Sequence, residues 1–169
     1  MIRGPYAPYA EILRHSFRHS LEDLGYRCPG YAPQAFVESL GRWRPFPDVF
    51  PALIRLAARF RLAIISNTDR DLLGRSLRPF PVRFDALITA EDARTYKPNL
   101  DMFRHALSQL AAPPEEILHV AFGADYDLRP AASLGFRTVF LNRSGLPPPE
   151  MPVEAEIKTL EELPRLWDA

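Results

Sequence analysis

The alternation of short apolar runs with helical patterns after residue 60 is the feature that most constrains this fold. Continuous apolar runs a few residues long are typical of strands that are covered on both faces. Strands that alternate with helices predict a parallel sheet with helices packed on both sides. The predicted strands are residues 62–65, 84–88, 117–122 and 138–141, with a last edge strand beginning near Ile157. The sequence therefore predicts an α/β fold.

Two helical patterns precede the first predicted strand. Apolar residues recur at helical spacing from Tyr9 to Leu24, and Gly25 is suited to end that helix. A second helix is predicted over residues 33–43, before a proline-containing break. These patterns predict a small helical subdomain over residues 1–45 and an α/β core over residues 46–169.

The charge balance and the cysteine count limit the classes of partner and compartment. The 169 residues contain 21 basic and 21 acidic side chains, which gives no electrostatic reason to expect nucleic acid or an anionic membrane as partner. No apolar run approaches the roughly 20 residues of a membrane span. The single cysteine, Cys28, cannot form an internal disulfide, so we expect a cytoplasmic protein in which Cys28 is structural.

Polar residues follow the predicted strands, where parallel sheets bind their ligands. Ser66 and Asn67 come directly after the first strand. Hydroxyl and amide groups in this position can bind an anionic oxygen together with the N–H groups that begin the next helix. The same residues can instead cap that helix, and the local pattern leaves both interpretations open.

Two charged positions complete the candidate site. Lys97 precedes a predicted helix, where a cation faces the positive end of the helix dipole, so its placement is unfavourable unless a negative partner lies nearby; the alternative is a freely solvated lysine. Asp125 and Asp127 follow the third strand and could bind a metal, orient a lysine or act as a base, whereas Asp127 could also simply cap a helix. His15 and His19 are four residues apart with no third ligand, so we expect surface histidines and no metal site.

Together these segments resemble the haloacid dehalogenase (HAD) superfamily of hydrolases. Ile64-Ile65-Ser66-Asn67-Thr68 resembles its second motif, Tyr96-Lys97-Pro98 its third, and the run from His119 to Ala131 with Gly135 its fourth. The order and spacing match over roughly residues 45–143. The opening from Gly4 to Tyr9 resembles the helical cap of the type II 2-haloacid dehalogenase branch.

The resemblance implies a Rossmann-like parallel sheet with a partial N-terminal helical cap, and a small-molecule substrate such as a 2-haloacid. In that family an aspartate displaces the halide beside a carboxylate, and water then hydrolyses the ester. By this resemblance Ser66 and Asn67 would bind the substrate carboxylate. Lys97 would keep the nucleophile ionised, and Asp127 would hold Lys97 and help position or activate the water.

Two departures from the family pattern affect this expectation. The first motif, a strand that carries the nucleophilic aspartate, has no counterpart, so the resemblance implies that the chain starts inside the cap and lacks a central strand. Phe122 stands at the first acidic position of the fourth motif, where phosphatases of the family hold Mg²⁺. Asp125 could substitute, but its offset differs. We therefore predict no cofactor, with Mg²⁺ expected only for a phosphatase.

Three hypotheses follow. The first is a 2-haloacid dehalogenase-type hydrolase whose nucleophile lies outside this chain. The second is a non-catalytic protein that assembles through the gap in its sheet, for example as a homodimer. The third is a phosphatase with unusual metal ligands, which Phe122 makes the least favoured.

Overall fold

The computed structural model describes residues 5–167 of the chain. Residues 1–4 and 168–169 lie outside the described residues. The first segment contains Gly4 and the start of the predicted cap, and the second contains the end of the predicted core. The helices and strands, in chain order, are α1 Tyr9–Asp23, α2 Ala32–Ser39, α3 Val49–Ala57, β1 Ala63–Ser66, α4 Arg70–Leu77, β2 Ala86–Thr89, α5 Ala90–Ala93, α6 Leu100–Leu110, β3 Leu118–Ala121, α7 Arg129–Ser133, β4 Arg137–Leu141, β5 Ala155–Ile157 and α8 Glu162–Arg165.

The first two helices form the predicted helical segment. α1 ends where Gly25 takes a positive φ of 78°, a conformation that glycine adopts without steric cost. α2 is shorter than predicted, because a tighter 3-10 turn over Leu40–Arg42 replaces its last turn. The two helices contact each other through the stacked rings of Phe17 and Phe36, whose centroids are 5.0 Å apart. The division into two domains at residue 45 stays a prediction.

The strands pair in parallel, which confirms the predicted α/β class. β1 pairs with β2, with Ile65 opposite Ile88, and β3, β4 and β5 form a second sheet in that order. Within residues 5–167 no strand ladder joins β1 to β3. The parallel strands therefore form two sheets.

Two apolar clusters cover opposite faces of these strands. One cluster is built around α6 and contains Ile88, Met102, Phe103, Ala106, Ala131 and Phe136. The other lies against α3 and α8 and contains Leu56, Val139, Ile157 and Leu163. Because side chains alternate along a strand, Leu118 and Val120 of β3 join the second cluster, whereas His119 faces the first.

The strands differ in how deeply they are buried. Thr138, Val139 and Phe140 of β4 are buried, as expected for a strand with neighbours on both sides. No residue of β1 or β3 is buried, although both strands are mostly apolar. These two strands therefore have the sequence of central strands and the exposure of edge strands.

One predicted inward face is partly wrong. Helical spacing of Val49, Leu53, Ile54 and Ala57 predicts an apolar stripe on α3, but Ile54 is 53% exposed. Ala52 and Leu56 are buried instead, because residues four apart lie on the same side of a helix and this pair turns toward the core. No helix in the described part of the chain combines the length and the apolar composition needed to cross a membrane.

Candidate active site

A buried ion pair lies at the carboxyl ends of β1 and β3. Lys97 Nζ is 2.6 Å from Asp127 Oδ1, and the two side chains are only 11% and 6% exposed. Lys97 Nζ also donates a hydrogen bond to the backbone carbonyl oxygen of Ile65, at 3.0 Å. The lysine thus has the negative partner that its position before α6 requires, and it connects β1 with the segment after β3.

The Ile65 carbonyl is available to Lys97 because of the direction in which β1 pairs. The Leu62 carbonyl accepts a hydrogen bond from Asp85 N–H, on the side of β2. Successive carbonyl groups of a strand point to alternate sides, so the Ile65 carbonyl points away from β2. An ammonium group, rather than a neighbouring strand, satisfies this acceptor at the outer edge of β1.

Asp127 reaches the lysine from a π-helical turn over Ala124–Leu128 that directly follows β3. The turn is closed by hydrogen bonds from the N–H groups of Asp127 and Leu128 to the Gly123 carbonyl, both of 3.0 Å. Such wide turns are often found at functional sites. The alternative that Asp127 caps α7 does not hold, since its carboxylate bonds side chains of other elements instead.

His119 is a member of this cluster that the sequence did not reveal. Its Nε2 lies 3.2 Å from the same Asp127 Oδ1 that accepts from Lys97. The imidazole ring makes edge contacts with Phe103 and Phe136, with centroid distances of 5.7 and 6.3 Å. The one available signal was the alternation of β3, which turns residue 119 away from its apolar neighbours Leu118 and Val120 and toward the face that carries Asp127.

The electrostatics of the cluster favour an ionised carboxylate. Burial alone would raise the pKa of Asp127, but the hydrogen bond from His119 and the positive charge of Lys97 outweigh it and hold the pKa below its usual value. An aspartate in this state is an acceptor for hydrogen bonds at neutral pH. It can orient a cation or a water molecule.

The side-chain amide of Asn67 forms two hydrogen bonds with the backbone of Lys97. Its Oδ1 accepts a hydrogen bond from Lys97 N–H at 2.7 Å, and its Nδ2 donates to the Lys97 carbonyl at 3.1 Å. The sequence suggested that Asn67 binds a ligand or caps a helix, and neither alternative anticipated this contact. One Nδ2 hydrogen remains beyond these two bonds.

Ser66 ends β1 and lines a cleft of about 390 Å³ between the helical segment and the core. Its other walls include Asn67 and Thr68 from the core and Tyr9, Leu40 and Trp43 from the helical segment. Lys97 and Asp127 do not line this cleft. Ser66 and Asn67 are therefore the predicted site residues that line the cleft, and Ser66 directly follows Ile65, whose carbonyl accepts a hydrogen bond from Lys97.

Two core side chains attach the helical segment beside this site. The Asp69 carboxylate accepts hydrogen bonds from the N–H groups of Tyr9 and Ala10, the first two residues of α1. Tyr96, which is 3% exposed, donates its hydroxyl hydrogen to the Ala7 carbonyl at 2.7 Å and stacks on Tyr6. Burial raises the pKa of Tyr96, so its hydroxyl stays protonated and donates.

The other predicted polar residues lie away from the cluster. Asp125 is 86% exposed on its side chain and pairs with Arg129 at 3.4 Å, so it does not take the place of the acid that Phe122 replaces. Phe122 is 61% exposed and packs edge-on against Tyr126. Within residues 5–167 no group of three or more His, Cys, Asp or Glu side chains is arranged to hold a metal ion. These residues do not fit the Mg²⁺ site of a phosphatase.

The family of the chain follows from comparison with known proteins. Residues 8–135 match the family model described as haloacid dehalogenase-like hydrolase. The chain belongs to this family. The matched range contains Ser66, Lys97 and Asp127, and the sequence resemblance to the HAD superfamily is thereby confirmed.

Two bacterial dehalogenases are similar in sequence to this chain. (S)-2-haloacid dehalogenase 1 of Pseudomonas sp. (strain CBS-3) is 27% identical over 170 residues, which cover 98% of this chain and 74% of that protein. (S)-2-haloacid dehalogenase 4A of Burkholderia cepacia is 32% identical over 123 residues, which cover 70% of this chain and 53% of that protein. The chain thus spans between about half and three quarters of the length of these relatives.

A solved structure shows the same fold. The crystal structure of an L-2-haloacid dehalogenase matches with a TM-score of 0.85 and 26% identity, over 97% of this chain and 73% of that protein. The chain is therefore a HAD-fold hydrolase of the branch to which the 2-haloacid dehalogenases belong.

Proposed function

We propose that this chain provides the lysine, carboxylate and serine of a 2-haloacid dehalogenase-type hydrolase, with a nucleophilic aspartate contributed from outside residues 1–169. One observation carries the proposal: the buried Lys97 ammonium bonds both Asp127 and the carbonyl of Ile65, directly before Ser66. The names of the similar dehalogenases support the substrate class.

Lys97 would act on the nucleophile by its charge. An ammonium group has three N–H donors, and two of them are used by Asp127 and Ile65. The third would bond the carboxylate of the nucleophilic aspartate. A buried cation that is hydrogen-bonded to a carboxylate keeps it ionised, and an ionised carboxylate is the form that attacks carbon.

The reaction would proceed in two displacements. The aspartate oxygen forms a bond to the substrate carbon that carries the halogen, and the halide leaves with the bonding electron pair. Water then adds to the carbonyl carbon of the resulting ester, and the bond between that carbon and the alkoxy oxygen breaks. One proton of the water goes to the alkoxy oxygen of the departing 2-hydroxyacid, the other is released to solvent, and the aspartate carboxylate is restored. Both donors on Asp127 contact Oδ1, so Oδ2 is the oxygen that would accept a hydrogen bond from this water.

Ser66 would bind the carboxylate of the substrate. It lies where a strand ends and the chain turns toward α4, and hydroxyl and N–H groups at such places bind anions. The cleft beside it is lined by apolar side chains such as Leu40, Trp43 and Leu72, which would contact the alkyl part of a small haloacid. Asn67 would contribute mainly by fixing the Lys97 backbone, and its remaining Nδ2 hydrogen would be directed at the ligand.

Halide release tests this proposal. The assay compares the chain alone, a version extended at its N-terminus by the aspartate strand of a related dehalogenase, and the extended Lys97→Met variant. We expect halide from a 2-haloacid only with the extended chain, and a loss of at least about 100-fold in K97M. The extended Lys158→Met variant is the matched control, since Lys158 is exposed. Phosphate release from an ester with Mg²⁺, without halide release, would contradict the proposal.

A second candidate function is assembly through the strand edges of β1 and β3. The observation that favours it is their shallow burial, together with the lack of a ladder between them in residues 5–167. Apolar strands with an unpaired edge accept a further strand. Light scattering after size-exclusion chromatography tests it: a dimer that dissociates when Ile64 is replaced by lysine supports assembly, and a monomer at every concentration contradicts it.

A further inference from the structure

His119 is a buried, titratable side chain that the proposed reaction does not use. It projects from β3 toward α6, where its Nε2 meets Asp127 Oδ1 at 3.2 Å. The ring is 11% exposed on its side chain, and the edges of Phe103 and Phe136 restrict its rotation. A polar side chain within an apolar cluster is costly unless its polar atoms are bonded. The contact with Asp127 provides such a bond for Nε2 of His119.

We propose that His119 is a positioning residue that fixes the Asp127 carboxylate, and through it the Lys97 ammonium, at the end of β1. Asp127 Oδ1 is the shared acceptor, with Lys97 Nζ at 2.6 Å and His119 Nε2 at 3.2 Å. A carboxylate oxygen can accept two hydrogen bonds. Two donors on one oxygen define the orientation of the carboxylate plane, whereas a single flexible lysine does not.

The chemistry of the contact requires a hydrogen on Nε2 of the ring. A carboxylate oxygen only accepts, so Nε2 must carry a hydrogen. Both the neutral Nε2–H form and the imidazolium meet this requirement, and the neutral Nδ1–H form does not. Because Phe103 and Phe136 are apolar, the donor role of the ring is directed at Asp127.

The positioning role also explains why a ring is suited to this place. The side chain of Lys97 is long and has many rotamers, so by itself it holds its partner loosely. His119 rises from the middle of β3, and β3 is paired with β4 over four residues. The position of the Asp127 carboxylate is thereby fixed relative to the sheet, and the position of the Lys97 ammonium is fixed relative to that carboxylate. The consequence for catalysis rests on the proposed function, whereas the arrangement itself does not.

Nuclear magnetic resonance on the whole chain tests the inference without a substrate. In the wild-type protein, long-range ¹⁵N–¹H correlation at neutral pH is expected to show a hydrogen on His119 Nε2. A ring found in the neutral Nδ1–H form would overturn the proposal. This measurement needs no variant and so does not depend on a substitution that folds.

Variants then test the effect on Asp127. We expect the ¹³C titration of the Asp127 carboxyl to show a pKa higher than that of the wild type in His119→Phe, which removes the donor and keeps a ring of similar size. In His119→Gln, whose amide can donate, we expect a return toward the wild-type value. His19→Gln is the matched control, because His19 lies on α1 and is exposed.

The outcomes separate this inference from the proposed function. An Asp127 titration that is unchanged in H119F, or changed equally in H119F and H119Q, would overturn the positioning role. If these titrations behave as expected while the extended wild-type chain releases no halide, the proposed function fails and the positioning role stands.

Discussion

The carboxylate of Asp69 caps a helix other than its own: its Oδ1 accepts the N–H of Tyr9, the first residue of α1, at 2.7 Å. Asp69 is also the residue before α4, yet it makes no side-chain hydrogen bond to the N-terminus of that helix. The first turn of α1 has unsatisfied N–H groups and the positive end of a helix dipole. A core carboxylate satisfies both, which ties the helical segment to the end of β1.

Removing this cap should destabilise the protein. We expect Asp69→Ala to lower the free energy of unfolding by about 1–2 kcal/mol, because two N–H groups of α1 lose a charged acceptor. Asp69→Asn keeps one oxygen acceptor and should lose less. Urea unfolding measures the difference. Asp71→Ala is the control, since Asp71 pairs with Arg75 on the exposed side of α4, and equal losses in D69A and D71A would contradict the capping role.

Breaking the buried ion pair from one side should cost more than removing it entirely. Asp127→Ala leaves the Lys97 charge buried without its carboxylate, and such changes cost about 3–5 kcal/mol. The double variant K97M/D127A should therefore lose less stability than D127A alone, and less than the sum of the two single changes predicts. Urea unfolding of the four proteins gives the coupling energy.

The exposed pair between Asp101 and Arg104 provides the control for this cycle. Its side chains are 65% and 59% exposed, so Asp101→Ala should change stability by less than about 1 kcal/mol. A coupling energy for Lys97 and Asp127 no larger than that of this surface pair would argue against a buried, desolvated interaction.

Acid should weaken the fold partly through Asp127. The folded pKa of Asp127 is lowered, below an unfolded value of about 3.9. A group of this kind stabilises the protein fully above the unfolded pKa, and its contribution is lost as the pH falls through the folded pKa. We expect the stability of the wild type to decline below about pH 4 more steeply than that of Asp127→Asn. Denaturant unfolding at a series of pH values measures both slopes, and parallel curves would refute this linkage.

Arg143 connects the end of β4 to the start of α3. Its two terminal nitrogens bond the Asp48 carboxylate at 3.0 and 2.8 Å, and its guanidinium lies 4.4 Å from the centre of the Phe46 ring. We expect Arg143→Met to cost about 2–3 kcal/mol, because bidentate bonds and the ring contact are lost together. Arg143→Lys should recover only part of this loss.

Arg137 offers a comparison at the same type of ion pair. It bonds Glu154 with Nη2 at 2.7 Å, but both side chains are about two fifths exposed. We expect Arg137→Met to cost no more than about 1 kcal/mol in the same thermal or urea unfolding experiment. A loss as large as that of R143M would show that burial does not distinguish the two pairs.

The sequence predicted those structural features that follow from a local sequence pattern with a single structural outcome. Apolar runs and helical spacing located the strands and most helices, because burial on both faces requires such runs. The dipole argument showed that Lys97 needs a negative partner, and the structure places Asp127 beside it. The domain boundary and the catalytic roles stay predictions.

Other features depend on contacts that no local pattern describes. Asn67 follows β1 as a ligand-binding or capping residue would, but its amide fits the backbone of Lys97, 30 residues away in the chain. The sequence names His119 only as the start of the run that resembles the fourth motif, and its partner comes from the π-helical turn after β3. That turn could not be anticipated, because its wide hydrogen bonds differ from those of an α-helix by one residue.

The anchoring of the helical segment by Tyr96 has a mechanical consequence. Tyr96 bonds Ala7 and stacks on Tyr6, and the next residue in the chain is Lys97. The contacts that hold the segment before α1 therefore lie one peptide unit away from Lys97, whose backbone is in turn bonded by Asn67. Any free-energy coupling between these two sets of contacts is reciprocal by linkage: a ligand that stabilises one set by a given free energy through the other is stabilised by the same free energy in return.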